Sequence, residues 1–388
     1  MEGPRILGCE RANARSHPKN PEVHYGDSQR TKPFLEFGII WTMTIRLTRR
    51  EFLKLAGIGA AGAALSPSFN LSAFDDSGNL ARVAIKSVSV YSQPWDKSRI
   101  LFQRFRDELL HIYFEVNSEY GPSWNPVWYR VWGGYIHSKS LQRVKYRLNP
   151  VQENVPEKGM VAELTVPWVQ SMRYNRYTGW SPLYRLYYQS QHWIKSLNEG
   201  PDGQPWYRVL DDLLGVEYDL PAAYLRPIQP EEVTPISPDV PPEQKHIEVS
   251  IAKQTVVAYE GDKIVFQALC SSGVPNHNIP PGGIPTETPK GTFHIQNKMP
   301  SKHMGDGKIT TNLEDYELPG IPWVSFFEPI TGVAFHGTYW HTNFGNSMSH
   351  GCVNLTYEDA LWIYRWSTPQ AKLEDWDSRG LGTVVVVS

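Results

Sequence analysis

The sequence predicts a mainly β protein of several small units, with one short helix near the C-terminus. Three observations carry this prediction. Runs such as His246-Ile247-Glu248-Val249-Ser250-Ile251 and Leu109-Leu110-His111-Ile112-Tyr113-Phe114-Glu115-Val116 alternate or are β-rich, as strands with one buried face are. Turn chemistry such as Glu260-Gly261-Asp262-Lys263 punctuates them at short intervals. One stretch alone, residues 354–366, reads as a good helix, with Thr356 as N-cap and Glu358 and Asp359 in its first turn.

The chain of 388 residues is long enough for two or three domains, and its 40% hydrophobic and 20% charged content is that of a globular protein. A net charge of −2 provides no electrostatic footprint for nucleic acid. The 14 Trp and 20 Tyr fill β-rich cores or line sugar- or peptide-binding grooves. Three cysteines, Cys9, Cys270 and Cys352, are too few for a disulfide framework.

Taken in order, the chain opens with residues 1–42, which are polar and aperiodic and are expected not to be translated, with Met43 as the start. Residues 43–80 follow as signal and linker. Thr48-Arg49-Arg50-Glu51-Phe52-Leu53-Lys54 reads as a twin-arginine export signal, and the apolar run 55–65 is too short to span a bilayer but suits a signal peptide. The expected location is therefore extracytoplasmic, at the cell wall or envelope.

Residues 81–150 and 160–228 carry a weak repeat: Trp128-Tyr129-Arg130-Val131 recurs as Trp206-Tyr207-Arg208-Val209, 78 positions later. The first copy, with Gly134-Tyr135-Ile136-His137-Ser138 after it, resembles the bacterial SH3-like modules of cell-wall proteins; the second matches less well. The resemblance implies one or two small β-barrels that anchor the protein to the wall or cap the active site; a plain spacer is the alternative. Residues 229–243, with Pro230, Pro235, Pro238, Pro241 and Pro242, read as a semi-rigid linker.

Residues 244–388 form the last unit. Strands are expected at 246–251, 254–259, 264–270, 288–295, 323–327, 332–336 and 383–387, and residues 298–320 are polar and Gly/Pro-punctuated. Within it lie His336-Gly337-Thr338 and, sixteen positions from His336 to Cys352, Ser349-His350-Gly351-Cys352-Val353-Asn354. A thiolate is a strong nucleophile when its proton is taken, and a histidine is the usual acceptor. Glycine beside it allows close backbone approach, and N–H groups there can hold an oxyanion. The set reads as an acyl-transfer site. His336 is the preferred base and His350 the competing one.

These two spaced elements resemble the L,D-transpeptidase catalytic domain (the YkuD family). The resemblance covers about the last third of the chain and implies a β-sandwich. It also implies a peptidoglycan L,D-transpeptidase: Cys352 attacks a tetrapeptide stem, expels the terminal D-Ala, and a neighbouring stem's amine resolves the thioester into a 3-3 cross-link. Gly337 orients His336 through its carbonyl. Gly351 and Cys352 supply oxyanion N–H groups, and Ser349, Asn354, Tyr339, Trp340 and His341 shape the turn or contact substrate. The resemblance also implies a mobile lid-like loop at 298–320, with Lys302 and His303 as weaker contact residues. Peptidoglycan stem peptides, donor and acceptor, are the expected partners, and carbapenem-type inhibitors are expected to acylate Cys352. No cofactor, obligate protein partner or metal is expected; no His-Glu-x-x-His element occurs. Two alternatives stay open: an L,D-carboxypeptidase or wall amidase that uses water, and a catalytically inert wall-binding protein. Cys270 reads as a core thiol, with a Cys270–Cys352 redox pairing as the lesser alternative.

Overall fold

The protein is described by a computed structural model over residues 78–276, 279 and 285–388. The export signal, the expected start at Met43, and Cys9 lie outside the described residues.

The chain is mainly β, as expected, with a single α-helix among the described residues. Its first part pairs strands Leu80–Val83, Leu109–His111 and Leu141–Val144 into a three-stranded sheet, and Ser87–Tyr91, Ile100–Phe105, Phe114–Asn117, Val127–Val131 and Gly134–His137 into a five-stranded one. Alternate side chains of both (Val83, Val90, Tyr129, Val131, Ile136, Leu141) share one core. The second part, Met160–Leu164 to Leu225–Pro227, is one seven-stranded antiparallel sheet with its own core. The repeat is therefore local. Each Trp-Tyr-Arg-Val strand forms an antiparallel pair with the next strand, Trp128 opposite His137 and Trp206 opposite Pro221. The surrounding sheets differ in strand number.

Residues 229–243 differ from the expected spacer. Pro230–Val233 and Pro242–Gln244 form short 3-10 turns, Val233 is buried in the same apolar cluster as the C-terminal sheets, and Ile236 packs against it. Arg365 Nε also donates to the Thr234 carbonyl at 2.7 Å. The segment is a packed strap, because its apolar residues find a core to enter.

The C-terminal part has two five-stranded sheets around that cluster, consistent with a sandwich. One has the order Lys263–Leu269, Thr255–Glu260, Lys245–Ser250, Val384–Val387, Gly291–His294. The other has the order Val353–Leu355, Val333–Gly337, Glu317–Glu328, Asn297–Gly305, Ser378–Arg379. Helix α1, Tyr357–Trp366, starts at Thr356, whose hydroxyl accepts the Asp359 N–H at 3.1 Å. It buries Ala360, Ile363 and Tyr364 against both sheets; burying a side chain such as Ile363 contributes about 1.5–3 kcal/mol. Its C-terminal end meets two buried lysines: Lys245 Nζ donates to Trp366 O at 3.1 Å and Lys298 Nζ to Ser367 O at 2.8 Å. Cations there suit the exposed carbonyls. Burial also pushes the Lys298 ammonium down to about 7.

Candidate active site

The site follows from one strand pairing. Val333–Gly337 and Val353–Leu355 run parallel, with Phe335 opposite Val353 and His336 opposite Asn354. Side chains alternate along each strand. Val333, Phe335, Val353 and Leu355 enter the large core. Ala334 and Cys352 join a separate small cluster on the other side, and His336, Cys352 and Asn354 line one cavity of about 360 Å³. Two motifs sixteen residues apart are brought onto one face by sheet register.

His336 is buried, and its Nδ1 lies 2.9 Å from the Gly337 carbonyl. That carbonyl can only accept, so Nδ1 carries the proton and Nε2 keeps its lone pair. Burial pushes the imidazole down to about 4 despite the carbonyl's opposing effect. At neutral pH His336 is therefore a free base. Gly337 is needed where it stands, since a Cβ there would lie 2.8 Å from Pro322 Cγ and 3.3 Å from the Tyr357 Cα.

Cys352 is 6% exposed, and its Sγ lies 3.7 Å from the Gly332 carbonyl. Gly351 has φ +123°, a conformation that L side chains rarely adopt. Ser349 Oγ donates to the Cys352 carbonyl and accepts the Gly351 N–H at 3.2 Å, two bonds that close the turn on itself. The Gly351 N–H, expected as an oxyanion donor, is engaged by the serine hydroxyl inside the turn.

The other expected residues divide into lining and support. Asn354 lines the cavity and meets His341 Nε2 at 3.0 Å, while His341 Nδ1 accepts the Asn343 N–H at 3.2 Å. Burial pushes the His341 imidazole down to about 3, so it is neutral and acts as a buried spacer behind Asn354. Tyr339 is buried, with its hydroxyl donating to Pro319 O at 3.0 Å, and Trp340 packs on it edge-on at 5.0 Å. Both line the cavity. His350 is exposed, lines the cavity, and faces the Tyr316 ring at 5.1 Å.

The lid expectation needs revision. Asn297–Gly305 and Glu317–Glu328 are paired strands, so only residues 306–316 form a loop. Lys302 and His303 face away from any substrate role: Lys302 Nζ pairs with Asp212 at 2.6 Å, and His303 lies between Asp211 (2.5 Å) and Glu317 (2.9 Å). Asp211 and Asp212 belong to the second part of the chain. Two carboxylates hold the His303 imidazole protonated, pushed up to about 9 against its burial. Cys270 is fully buried and free, its thiol pushed up to about 12 by burial, as befits a core residue.

Sequence reasoning offered a cap beside the active site as one role for residues 81–228 but named none of the residues outside 244–388 that wall the cavity. Arg82 and Arg106 come from the first part, Arg185 and Tyr187 from the second. Arg82 is 1% exposed. It donates to Asp107 (3.0 Å), Gln142 (2.8 Å) and the Tyr339 carbonyl (3.0 Å), and lies 4.0 Å over the Tyr187 ring. A charged residue inside the apolar run Leu80-Ala81-Arg82-Val83 was the available signal.

Comparison with known proteins agrees on the C-terminal part. Residues 244–387 match the YkuD family model, the L,D-transpeptidase catalytic domain. The chain is similar to the Bacillus subtilis (strain 168) protein named "Putative L,D-transpeptidase YciB", with 26% identity over 145 residues, covering 33% of this chain and 63% of that one. Among solved structures it is similar to an L,D-transpeptidase from Mycobacterium smegmatis (22% identity, 37% of this chain and 58% of that one, TM-score 0.29). It is also similar to the catalytic domain of the E. faecium enzyme (24% identity, 38% and 98%, TM-score 0.27). The chain spans less than two thirds of the length of the curated relative and of the M. smegmatis structure. Residues 244–387, which hold Cys352, His336 and every other expected site residue, are the part of this chain that is similar to L,D-transpeptidase catalytic domains.

Proposed function

We propose that this protein is a cysteine-dependent peptidoglycan L,D-transpeptidase. The observation that carries the reading is the neutral His336, with Nδ1 fixed on Gly337 O and Nε2 left basic, lining one cavity with Cys352. In this reading His336 takes the Cys352 thiol proton as the sulfur attacks the carbonyl of the third stem residue. The tetrahedral oxyanion is held by the backbone N–H of Cys352, since that of Gly351 is engaged by Ser349 Oγ. His336 returns the proton to the departing D-Ala amine, which leaves a thioester on Cys352. The amine of a neighbouring stem then attacks the thioester, His336 accepts its proton, and a 3-3 cross-link and the free thiol result. A positioned base contributes roughly 10²–10⁴ in rate.

The partners are donor and acceptor stem peptides, and a carbapenem acylates Cys352 by the same attack. Export by the twin-arginine route to the envelope belongs to the same proposal, as does an SH3-like character for the first two parts. N-terminal sequencing of the native protein tests the export, where a cytoplasmic, unprocessed chain would overturn it.

The test of the chemistry is intact-protein mass after mixing with a carbapenem, beside Cys352→Ala. One adduct, lost in the variant, is expected; none on folded protein would bring the inert wall-binding reading forward. Product masses with muropeptides separate transfer from hydrolysis: a dimer supports the transpeptidase, and a trimmed monomer alone supports the carboxypeptidase.

A further inference from the structure

The catalytic cavity is lined by three guanidinium groups, and none comes from the catalytic part of the chain. Arg82 and Arg106 belong to the first part and Arg185 to the second. The carboxylates that share the lining, Asp315 and Glu317, are paired with Lys308 (3.2 Å) and His303 (2.9 Å), which also serve Asp306 (3.3 Å) and Asp211 (2.5 Å). Arg82 and Arg185 share the single carboxylate of Asp107, at 3.0 and 2.8 Å. Arg106 is paired with Glu314, whose side chain is 57% exposed, at 3.3 Å, and donates to the Leu313 carbonyl. Two guanidiniums thus share one carboxylate at the cavity wall.

The two that share Asp107 are not alike. Arg82 is buried and spends its N–H groups on Asp107, Gln142 and Tyr339 O. Arg185 makes one side-chain hydrogen bond among the described residues, Nη1 to Asp107 Oδ2, and its Nε is buried without an acceptor. Its side chain is 26% exposed, and the guanidinium is held 4.6 Å over the Trp168 ring. A guanidinium fixed by one carboxylate and one ring, with donors to spare, is preorganised for a second carboxylate.

We propose that Arg185, backed by Asp107 and Trp168, is a carboxylate-binding subsite of the catalytic cavity, supplied by the second part of the chain and selecting peptides with a free carboxylate. This deepens the transpeptidase reading and rests on it for the ligand's class. The carboxylate could be the one at the peptide's C-terminus or one carried inside the stem; the chemistry of recognition is the same.

The experiment measures binding of three synthetic stem tetrapeptides to the full chain carrying Cys352→Ala, with and without Arg185→Met or Arg185→Lys. One peptide has all carboxylates free, one has only the C-terminus amidated, and one has only the internal carboxylates amidated. Far-UV circular dichroism and melting confirm that each variant is folded. Charge-assisted hydrogen bonds of this kind discriminate by about tenfold or more. The expected result is that one amidation weakens binding by about that factor in the Cys352→Ala protein, which identifies the carboxylate. Arg185→Met should erase the difference, and Arg185→Lys should keep part of it, since it holds the charge but loses the fork. Equal binding of all three peptides, no binding of any, or full discrimination in Arg185→Met would each overturn the subsite. Because the readout is binding, discrimination without turnover by the wild-type enzyme would refute the transpeptidase reading and leave the subsite standing.

Discussion

His336 determines how the proposed site responds to acid. Its neutral form is the working base, and burial lowers its pKa to about 4, against about 6.5 for an unperturbed imidazole. The acid limb of kcat/KM for Cys352 acylation should therefore be flat from neutral pH to about 5 and fall as pH drops through about 4. Stopped-flow acylation over pH 3.5–8 checks this; a midpoint near 6.5 would mean His336 is solvated or is not the base. At Gly351 the constraint is the backbone. A Cβ would meet Val333 Cγ2 at 3.5 Å and Pro285 O at 4.0 Å, ordinary contacts, but φ is +123°. Gly351→Ala should cost about 1–3 kcal/mol of local strain, either as a lower melting temperature or as a turn that reshapes and loses acylation. An alanine variant that melts and acylates like wild type would show that the turn has another route.

The hairpin Asn297–Gly305 and Glu317–Glu328 is the element that ties the cavity to the rest of the chain, through His303 between Asp211 and Glu317. The folded pKa of His303 is raised to about 9. A raised pKa stabilises the fold fully below the unfolded value of about 6.5 and is lost as pH rises through the folded one. The melting temperature of the wild type should thus exceed that of His303→Gln most at pH 6 and least above pH 9.5, and calorimetry over that range checks it. A constant gap would mean His303 is held by packing alone. The strands of residues 244–388 were legible because each buries one face, and their alternation is written locally. The helix was legible from Thr356 and the two acids after it. Trp168–Asn175, Gly179–Tyr187 and Gln191–Glu199 were not, since their polar and aromatic residues serve two sheet faces and show no clean period. The contact of His303 with Asp211 joins residues 92 positions apart, and no local pattern encodes such a pair.

The motif chemistry of Cys352 and His336 could be read from the sequence, and so could a cap as one option, but the residues that wall their cavity could not, because these come from three parts of the chain. Val161, Trp193 and Ile228 of the second part, and Val233 of the strap, sit in the same apolar cluster as Phe335, Val353 and Ile363. Arg82 reaches from the first part to the Tyr339 carbonyl, and Ser301 Oγ donates to the Gln191 carbonyl at 2.5 Å. The C-terminal part therefore has a partner surface built into its own chain. Residues 244–388 expressed alone should expose that surface and lose the wall beside Cys352. Removing four buried apolar side chains at about 1.5–3 kcal/mol each is comparable with the whole stability of a domain, about 5–15 kcal/mol. The excised part should melt far below residues 78–388, bind a hydrophobic dye, and acylate more slowly at a temperature where both are folded. Equal melting and equal acylation would mean that the first two parts only rest against the catalytic one. The pairing of Arg82 with Asp107 and Tyr339 O argues otherwise, since a buried guanidinium is retained at a desolvation cost that its partners on both sides must offset.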